Sequence, residues 1–189
     1  MRIAVTGASG FVGGAVCRAL ASEGTAVLAF GRRPAVAPGR VGGAPYRSWD
    51  LTRGPLPDAP AVDAVVHCAG SVTDWGPSAA LFAANLTGTR NALGSFPGAR
   101  FVHVSTASVY DPFTPSVMAR EDEAPVRRYM NAYGASRPPP RGPPRAPVRS
   151  SCARTRSTGP ATRRSFRASC PPCGARCCPP SGPAASASA

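Results

Sequence analysis

Short apolar runs alternate with longer helical patterns over residues 1–136, and this alternation predicts an α/β fold. The runs that indicate buried strands are Ile3–Val5, Ala26–Phe30, Tyr46–Trp49, Ala64–His67 and Phe101–Val104. Between them, Phe11 to Leu20 and Ser78 to Leu93 have the apolar spacing of packed helices. Strands buried on both faces and separated by helices are typical of a doubly wound parallel sheet.

A glycine-rich turn follows the first predicted strand, with the pattern T-G-x-x-G-x-x-G from Thr6 to Gly13. Between a strand and a helix this spacing indicates a Rossmann-like dinucleotide site, since glycines permit a tight turn, close approach to a pyrophosphate and close helix packing. The N–H groups at the helix start would then hold the phosphates. The alternative is a glycine-rich loop without a ligand. The candidate cofactor-binding residues here are Gly7, Ser9, Gly10, Phe11, Val12 and Gly13.

The end of the second strand bears on which dinucleotide is used. A fold that binds NAD usually carries an acidic residue there, which hydrogen-bonds the ribose hydroxyls. No acidic residue lies between Glu23 and Asp50, and Arg32 and Arg33 stand at the strand end. Arginines suit a 2′-phosphate, so the sequence favours NADP slightly over NAD, and the alternative is a solvated pair.

The composition changes after residue 136. Residues 137–189 contain 10 of the 22 arginines, no acidic residue and 12 of the 23 prolines. Val148 and Phe166 are the only aliphatic or aromatic side chains there larger than alanine and proline. Such a segment buries too little apolar surface to offset its ordering entropy. We therefore predict a domain over residues 1–136, a sheet incomplete at its C-terminal end, and a disordered tail over 137–189 in which Arg149–Ser151 are coil.

The remaining composition excludes some classes of protein. No apolar run is long enough to span a membrane and the N-terminus does not resemble a signal peptide, so we expect a cytoplasmic protein without a membrane partner. Cys17 and Cys68 are expected to be reduced and buried.

Two functions for the tail have to be weighed against disorder, a zinc site and nucleic-acid binding. A zinc site at Cys170 and Cys173 would need a well-spaced second pair, which the adjacent Cys177 and Cys178 do not provide, so we expect no metal. The arginines could bind nucleic acid through phosphates, but without a recognisable module we expect no specific nucleic-acid partner.

Six motifs together resemble the extended short-chain dehydrogenases/reductases, the NAD-dependent epimerase/dehydratase group. They are TGASGFVGG, the Asp50-Leu51 pair, VVHCAG, NLTGT, VSTASVY and Tyr133 to Ser136, in the family's order. HCAGSVTDWG and ANLTGTRNAL look closest to the steroid-dehydrogenase-like and sugar-epimerase branches. The resemblance implies hydride transfer with NAD or NADP at the carbinol or carbonyl of a small-molecule substrate, such as a sugar nucleotide or a sterol-like molecule.

The resemblance also implies cofactor contacts. An acidic residue and a leucine would flank the adenine, three small residues would pass under the cofactor, and an asparagine would hydrogen-bond backbone near the fourth and fifth strands. These residues are Asp50, Leu51, Cys68, Ala69, Gly70 and Asn85.

For catalysis, the resemblance makes Tyr133 the general acid/base and Thr106 the residue that holds the substrate oxygen. In the family a lysine four residues after the tyrosine favours the phenolate. Here that position is Arg137, whose planar fork does not reproduce an ammonium. An inactive dinucleotide-binding remnant is therefore the alternative. His67 and His103 are interpreted as strand residues.

Pro138 to Pro140 cannot continue the helix that should carry Tyr133. A single inserted base turns codons for Arg-Pro-Pro-Pro-Arg-Gly into codons for Lys-Ala-Ala-Ala-Glu-Gly, which follow the motif YGAS as the family pattern requires. The same shift permits LRPHAVYGPGD over Ser151 to Thr162. We hypothesise that the chain beyond about residue 136 is translated in a shifted frame.

Overall fold

The computed structural model describes residues 1–73, 75–115, 117–118, 120, 126, 128–137 and 149–152. They all lie in one compact unit, Met1–Thr155, and the second unit, Arg156–Ala189, lies outside the described residues. Of the tail predicted to be disordered, the structure describes Arg137 and Arg149–Cys152 alone, and the zinc site considered at Cys170 lies outside the described residues.

A parallel sheet of six strands forms the centre of the unit, in the order β3-β2-β1-β4-β5-β6. The strands are β1 Arg2–Thr6, β2 Ala26–Gly31, β3 Tyr46–Ser48, β4 Ala64–His67, β5 Arg100–Ser105 and β6 Arg149–Cys152. The first five coincide, within a residue or two, with the five apolar runs. The chain order reverses beside β1, which pairs with both β2 and β4, so a crevice opens above the carboxyl ends of these strands. The Rossmann-like fold is confirmed.

Helices connect the strands. Helix α1 covers Phe11–Ser22 and follows the glycine turn. The predicted helix from Ser78 is instead three consecutive pieces, α2 Ser78–Phe82, a π-turn Ala83–Thr87 and α3 Gly88–Ser95. Helix α4 covers Ala132–Ser136 and is capped by Asn131, whose side-chain oxygen accepts a hydrogen bond of 2.9 Å from the Gly134 amide. This cap satisfies one of the amides that a short helix leaves unpaired.

The two faces of the sheet carry separate apolar cores because successive side chains of a strand point to opposite faces. On β1, Ile3 and Val5 pack with Cys17 of α1. The residue between them, Ala4, belongs to the cluster on the other face. The centre of that cluster is an aromatic trio, with ring centroids 6.0 to 6.3 Å apart, formed by Phe30, Trp49 and Phe96.

The prediction of coil at Arg149–Ser151 is wrong. Arg149–Cys152 form β6, which pairs in parallel with β5 from Val102 to Ser105. Ladder hydrogen bonds come from the backbone, so a segment without apolar side chains can still pair with an open strand edge. Amino-acid composition could not predict this strand, because composition describes side chains and the pairing depends on the backbone.

Among the residues that the structure describes, no helix has the length and hydropathy needed to cross a membrane.

Candidate active site

The glycine turn is closed so tightly that side chains would not fit. Gly7 has a φ of 70°, and its carbonyl accepts a hydrogen bond of 2.9 Å from the Gly10 amide. A Cβ on Gly7 would lie 2.7 Å from the Ala69 backbone, and one on Gly13 would collide with the Gly7 carbonyl. These contacts bring α1, β1 and the end of β4 together, as expected for a cradle around a pyrophosphate.

The start of α1 faces this cradle. Gly10 is the N-cap residue and has no side-chain capping bond, and the first turn contains no acidic residue. The amides of Phe11, Val12 and Gly13 have no intrahelical acceptor because they lie in the first turn. The side chain of Phe11 is 87% exposed, so this residue contributes backbone to the cradle. The helix end therefore offers N–H donors and a favourable dipole to an anion.

A groove of about 350 Å³ runs over the carboxyl ends of β1, β2 and β4, within the usual size of ligand pockets. It brings together most of the residues expected to contact the cofactor, which are Gly7, Ser9, Gly10, Arg32, Arg33, Asp50, Leu51, Cys68, Ala69 and Gly70. Gly13 lies behind the turn, and Phe11, Val12 and Asn85 are not part of the lining. The residues present thus fit a dinucleotide.

One end of the groove is formed by Asp50 and its neighbours. The Asp50 carboxylate accepts hydrogen bonds from the amide and the hydroxyl of Thr52, at 3.0 and 2.8 Å. These bonds, the hydroxyl first, lower the pKa of Asp50, and Arg32 and Arg53 lower it further. The carboxylate is therefore fixed and ionised at the place where the resemblance expects contact with the adenosine.

The arginine pair lies at the same end. The Arg33 carbonyl accepts a hydrogen bond of 2.8 Å from the Tyr46 hydroxyl, which fixes the backbone at the end of β2. A Cβ on Gly31 would lie 2.8 Å from Ser9 Oγ and 2.9 Å from Tyr46 Oη. The Ser9 hydroxyl therefore sits against the strand end from which Arg32 and Arg33 extend. A hydroxyl and two guanidinium groups are suitable donors for a phosphate.

The other end of the groove lies over Cys68, Ala69 and Gly70. Burial raises the pKa of the Cys68 thiol to about 12, so this side chain is a neutral wall. A Cβ on Gly70 would lie 2.8 Å from Asn85 Oδ1 and would collide with the Arg137 guanidinium. Gly70 therefore has to lack a side chain because Asn85 and Arg137 pack against it.

Asn85 binds the backbone of Ser71, the residue that follows Gly70. Its Oδ1 accepts a hydrogen bond of 2.7 Å from the Ser71 amide, and its Nδ2 donates to the Ser71 carbonyl at 3.0 Å and to Ser136 Oγ at 2.8 Å. Asn85 is 3% exposed and belongs to the π-turn. The structure thus places its amide on backbone beside the end of β4, and additionally on α4.

Thr106 and Tyr133 lie outside the groove lining, at the ends of neighbouring elements. Thr106 directly follows β5, and its Oγ1 accepts a hydrogen bond of 3.3 Å from the Ser108 amide. Tyr133 is half-buried on α4, which packs so closely that a Cβ on Gly134 would lie 2.7 Å from the Ser108 carbonyl. This packing brings the two candidate catalytic elements to one edge of the sheet.

Arg137 is held in the position of the expected lysine. It is 4% exposed, and its Nη1 and Nη2 donate to the carbonyls of Ala69 and Val104 at 3.2 and 2.6 Å. Burial lowers the pKa of the guanidinium, and the nearby Tyr133 and Cys68 oppose this effect. Within the described residues its Nε has no hydrogen-bond partner. The cation is therefore directed to main-chain oxygens at the ends of β4 and β5 and to the Tyr133 side chain.

His67 and His103 are buried strand residues stacked on each other, with ring centroids 5.5 Å apart. His67 is hydrogen-bonded to the hydroxyls of Thr6 and Thr89, at 2.7 and 2.9 Å. Neither ring nitrogen of His103 has a well-oriented partner in the described part of the chain. Burial lowers the pKa of His67 far below its usual value and that of His103 to about 4, so both rings are neutral.

Within the described ranges, no group of three or more histidine, cysteine and acidic residues could hold a metal ion.

Sequence reasoning missed Ser71 and Ser136, which connect Asn85 to the groove floor and to α4. The spacing of Tyr133 and Ser136, three residues apart on a helix, indicates that the serine can bond back to the tyrosine carbonyl. Nothing in the sequence identifies Asn85 as its second partner, because 51 positions separate the two residues.

The model of the NAD dependent epimerase/dehydratase family matches residues 3–137. A 2-alkyl-3-oxoalkanoate reductase from Stenotrophomonas maltophilia (strain K279a) is 36% identical over 121 residues, covering 58% of this chain and 34% of the relative. A UDP-galactose 4-epimerase structure has a TM-score of 0.63 at 26% identity, covering 72% of this chain and 48% of that one.

A structure of a short-chain dehydrogenase/reductase superfamily protein from Agrobacterium tumefaciens with bound NAD has a TM-score of 0.58 at 29% identity. The match covers 72% of this chain and 42% of that protein. The chain thus spans between a third and a half of the length of these three proteins.

Proposed function

The chain belongs to the NAD-dependent epimerase/dehydratase family, and on this premise we propose that it is an NAD(P)-dependent oxidoreductase or epimerase. The observation that carries the proposal is the groove, which runs from the Asp50 end past the glycine turn to the floor at Gly70. Its shape and donors fit an extended dinucleotide with the pyrophosphate at the start of α1.

Each part of the site has a role in this proposal. The nicotinamide supplies the exchange of hydride with a substrate carbinol or carbonyl. Tyr133 gives or takes the proton at the substrate oxygen, and Thr106 holds that oxygen by a hydrogen bond. Cys68, Ala69 and Gly70 would form a neutral floor of small side chains beneath the cofactor.

We propose NADP as the preferred dinucleotide, supported by Arg32, Arg33 and the Ser9 hydroxyl beside them. Charge-assisted hydrogen bonds contribute about 1.5–3 kcal/mol each. Changing both arginines to alanine should therefore raise the Kd for NADPH at least about tenfold and that for NADH less than about twofold, measured by calorimetry.

Arg100→Ala is the matched control, because this exposed arginine lies at the amino end of β5, whereas the groove lies over the carboxyl ends of the strands. Equal losses of NADH and NADPH affinity in the double variant would contradict the preference for NADP.

We propose an apolar substrate of the steroid-dehydrogenase-like branch in preference to a sugar nucleotide. In the loops after β4 and β5 and just before α4, the exposed side chains include Val72, Trp75, Phe113 and Met130. The relative named as a reductase of 2-alkyl-3-oxoalkanoates supports this choice, whereas the epimerase neighbour supports the other. NADPH oxidation with an alkyl ketone, with neither epimerisation of a UDP-sugar nor reduction of NADP+ by it, would agree with this choice. Turnover of the UDP-sugar without turnover of the ketone would contradict it.

The second candidate is a protein that binds the dinucleotide without turnover. Arg137 favours it, because its guanidinium is bound to the Ala69 and Val104 carbonyls and does not reproduce a free ammonium. Calorimetric titration with NADPH and NADH, followed by turnover assays, separates the candidates. Binding with turnover supports the enzyme, binding without turnover supports the second candidate, and absence of binding contradicts both.

We further propose that the chain beyond about residue 136 is translated in a shifted frame. The family match ends at residue 137, where the arginine- and proline-rich composition begins. With suitable codons, one added base gives a lysine at the position of Arg137 and permits, further on, the segment LRPHAVYGPGD. Resequencing the coding DNA should reveal this base, and a verified reading frame identical to the present one would refute the proposal.

A further inference from the structure

Ser136 joins the candidate general acid/base to a second element. Its side chain is 1% exposed, and its Oγ–H donates to the Tyr133 carbonyl at 2.8 Å. The same oxygen accepts a hydrogen bond of 2.8 Å from Asn85 Nδ2. A hydroxyl has one donor and two acceptor lone pairs, so both bonds form together.

The amide of Asn85 is fully used in this arrangement. One Nδ2 hydrogen goes to Ser136, the other goes to the Ser71 carbonyl, and Oδ1 accepts from the Ser71 amide. Ser71 follows Gly70 at the end of the cofactor groove. One side chain therefore connects the groove floor, the π-turn and α4.

Helix α4 needs such external support. It is five residues long, too short to be stable by itself in water. The Asn131 cap fixes its beginning, and the Ser105 hydroxyl donates to the Arg137 carbonyl just beyond its end at 3.1 Å. The Ser136 side chain connects α4 to the π-turn, whose Asn85 also binds Ser71 at the groove floor.

We propose that Ser136 is a positioning residue, which sets the place of Tyr133 relative to the cofactor floor through its bond with Asn85. This inference rests on the proposed function for the role of Tyr133. The bond acts on the main chain of Tyr133, so it fixes the root of the side chain without engaging the hydroxyl, which interacts with the Arg137 side chain.

Fluorine NMR of the full chain labelled with 3-fluorotyrosine tests this role. The chain has four tyrosines, and the signal of Tyr133 is identified by its loss in Tyr133→Phe. In Ser136→Ala this signal should shift or broaden while that of Tyr46, on β3 at the far side of the sheet, remains unchanged. Asn85→Asp, which lacks the donor to Ser136, should alter the same signal, and adding Ser136→Ala to it should change nothing more.

Ser95→Ala is the matched control. Ser95 is also buried, donates to the Asn91 carbonyl at 2.7 Å and accepts from the Leu56 amide at 2.8 Å, but it lies away from α4. It should leave the Tyr133 signal unchanged. An unmoved signal in Ser136→Ala, an equal change in Ser95→Ala, or additive effects of the Asn85 and Ser136 variants would overturn the proposal.

The measurement needs no cofactor, so its outcome is separate from that of the proposed function. Calorimetry of the same samples with NADPH tests the latter, because a wild-type chain without affinity for NADPH or NADH would contradict the proposed function while leaving the fluorine result intact. Ser136→Ala should retain the wild-type Kd for NADPH within about twofold, since Ser136 does not line the groove. A loss of affinity larger than tenfold would assign Ser136 to cofactor binding instead.

Discussion

Gly13 illustrates how one absent side chain determines a site. A Cβ at this position would collide with the Gly7 carbonyl, which belongs to the same turn. Because the obstacle is backbone and cannot rotate away, Gly13→Ala should lower the free energy of unfolding by about 1–3 kcal/mol. It should also abolish calorimetric binding of NADPH, since the turn would open.

Gly94 provides the control for that substitution. It lies on α3, and a Cβ there would meet no atom within 4 Å. Gly94→Ala should raise the free energy of unfolding by up to about 1 kcal/mol, because alanine has the higher helix propensity. If urea unfolding showed similar losses for both variants, the steric account of Gly13 would be wrong.

The stacked histidines predict a loss of stability in mild acid. In the fold both rings stay neutral, whereas in the unfolded chain each takes up a proton as the pH falls below about 6.5. The unfolded state then binds more protons, so the free energy of unfolding falls from pH 6.5 downward, by at most about 1.4 kcal/mol per pH unit for each histidine. The contribution of His103 ends near its folded pKa of about 4.

Urea unfolding between pH 7.5 and 4.5 measures this slope. His103→Leu removes one of the two titrating rings and should make the slope shallower. Asp50, whose pKa is lowered in the fold, loses its contribution only below about its usual pKa of 3.8, so it does not affect this window. A slope unchanged in His103→Leu would show that other groups control the acid response.

The positions of single residues were predictable from sequence where they depend on near neighbours. The three glycines and the Arg32–Arg33 pair follow from spacing alone, and the structure places Gly7, Gly10 and both arginines in one groove. The bonds of Arg137 to Ala69 and Val104 could not be predicted, because they join residues 68 and 33 positions apart.

At the scale of elements, the helical segment from Ser78 to Ser95 was also predictable from sequence only in part. Its apolar spacing predicts a helix, but it does not predict the π-turn at Ala83–Thr87. The π-turn contains Asn85, whose partners Ser71 and Ser136 lie in other elements. Such local departures from regular spacing often occur at functional sites, and tertiary bonds rather than local propensity favour this one.

Strand β6 should matter for the behaviour of the sheet edge. It covers the outer edge of β5 through pairing from Val102 to Ser105. A chain ending after residue 137 exposes this edge, and unpaired strand edges promote association. We expect such a chain to form soluble aggregates in size-exclusion chromatography at concentrations where a chain ending after residue 155 remains monodisperse. Identical profiles would show that β6 does not protect the edge.

At the scale of the whole molecule, a bound dinucleotide should stabilise the entire sheet. The groove draws on β1, β2 and β4 together, so a ligand that binds only the folded state adds RT ln(1 + [L]/Kd) to the free energy of unfolding. At a free NADPH concentration of 100 times Kd this is about 2.7 kcal/mol. Urea unfolding with and without NADPH measures the gain, and Gly13→Ala should show none.

The fold of residues 1–105 was predictable because its signals are local and repeated. Each strand is an apolar run followed by a turn, and right-handed connections leave few ways to order parallel strands. The pairing of Arg149–Cys152 with β5 depends on an open backbone edge, which no composition reveals. The change of composition at Arg137 predicted where the family match ends, but not that the sheet gains a strand beyond it.

The position of Trp49 has an optical consequence. The chain has two tryptophans, of which Trp49 is 7% exposed in the groove wall while Trp75 is 85% exposed in the loop after β4. A buried indole emits at shorter wavelength than a hydrated one, and a reduced nicotinamide absorbs within that emission band. In Trp75→Phe the remaining emission comes from Trp49 and should resist quenching by iodide. On binding of NADPH this emission should be transferred to the nicotinamide, so the fluorescence of Trp49 measures occupancy of the groove.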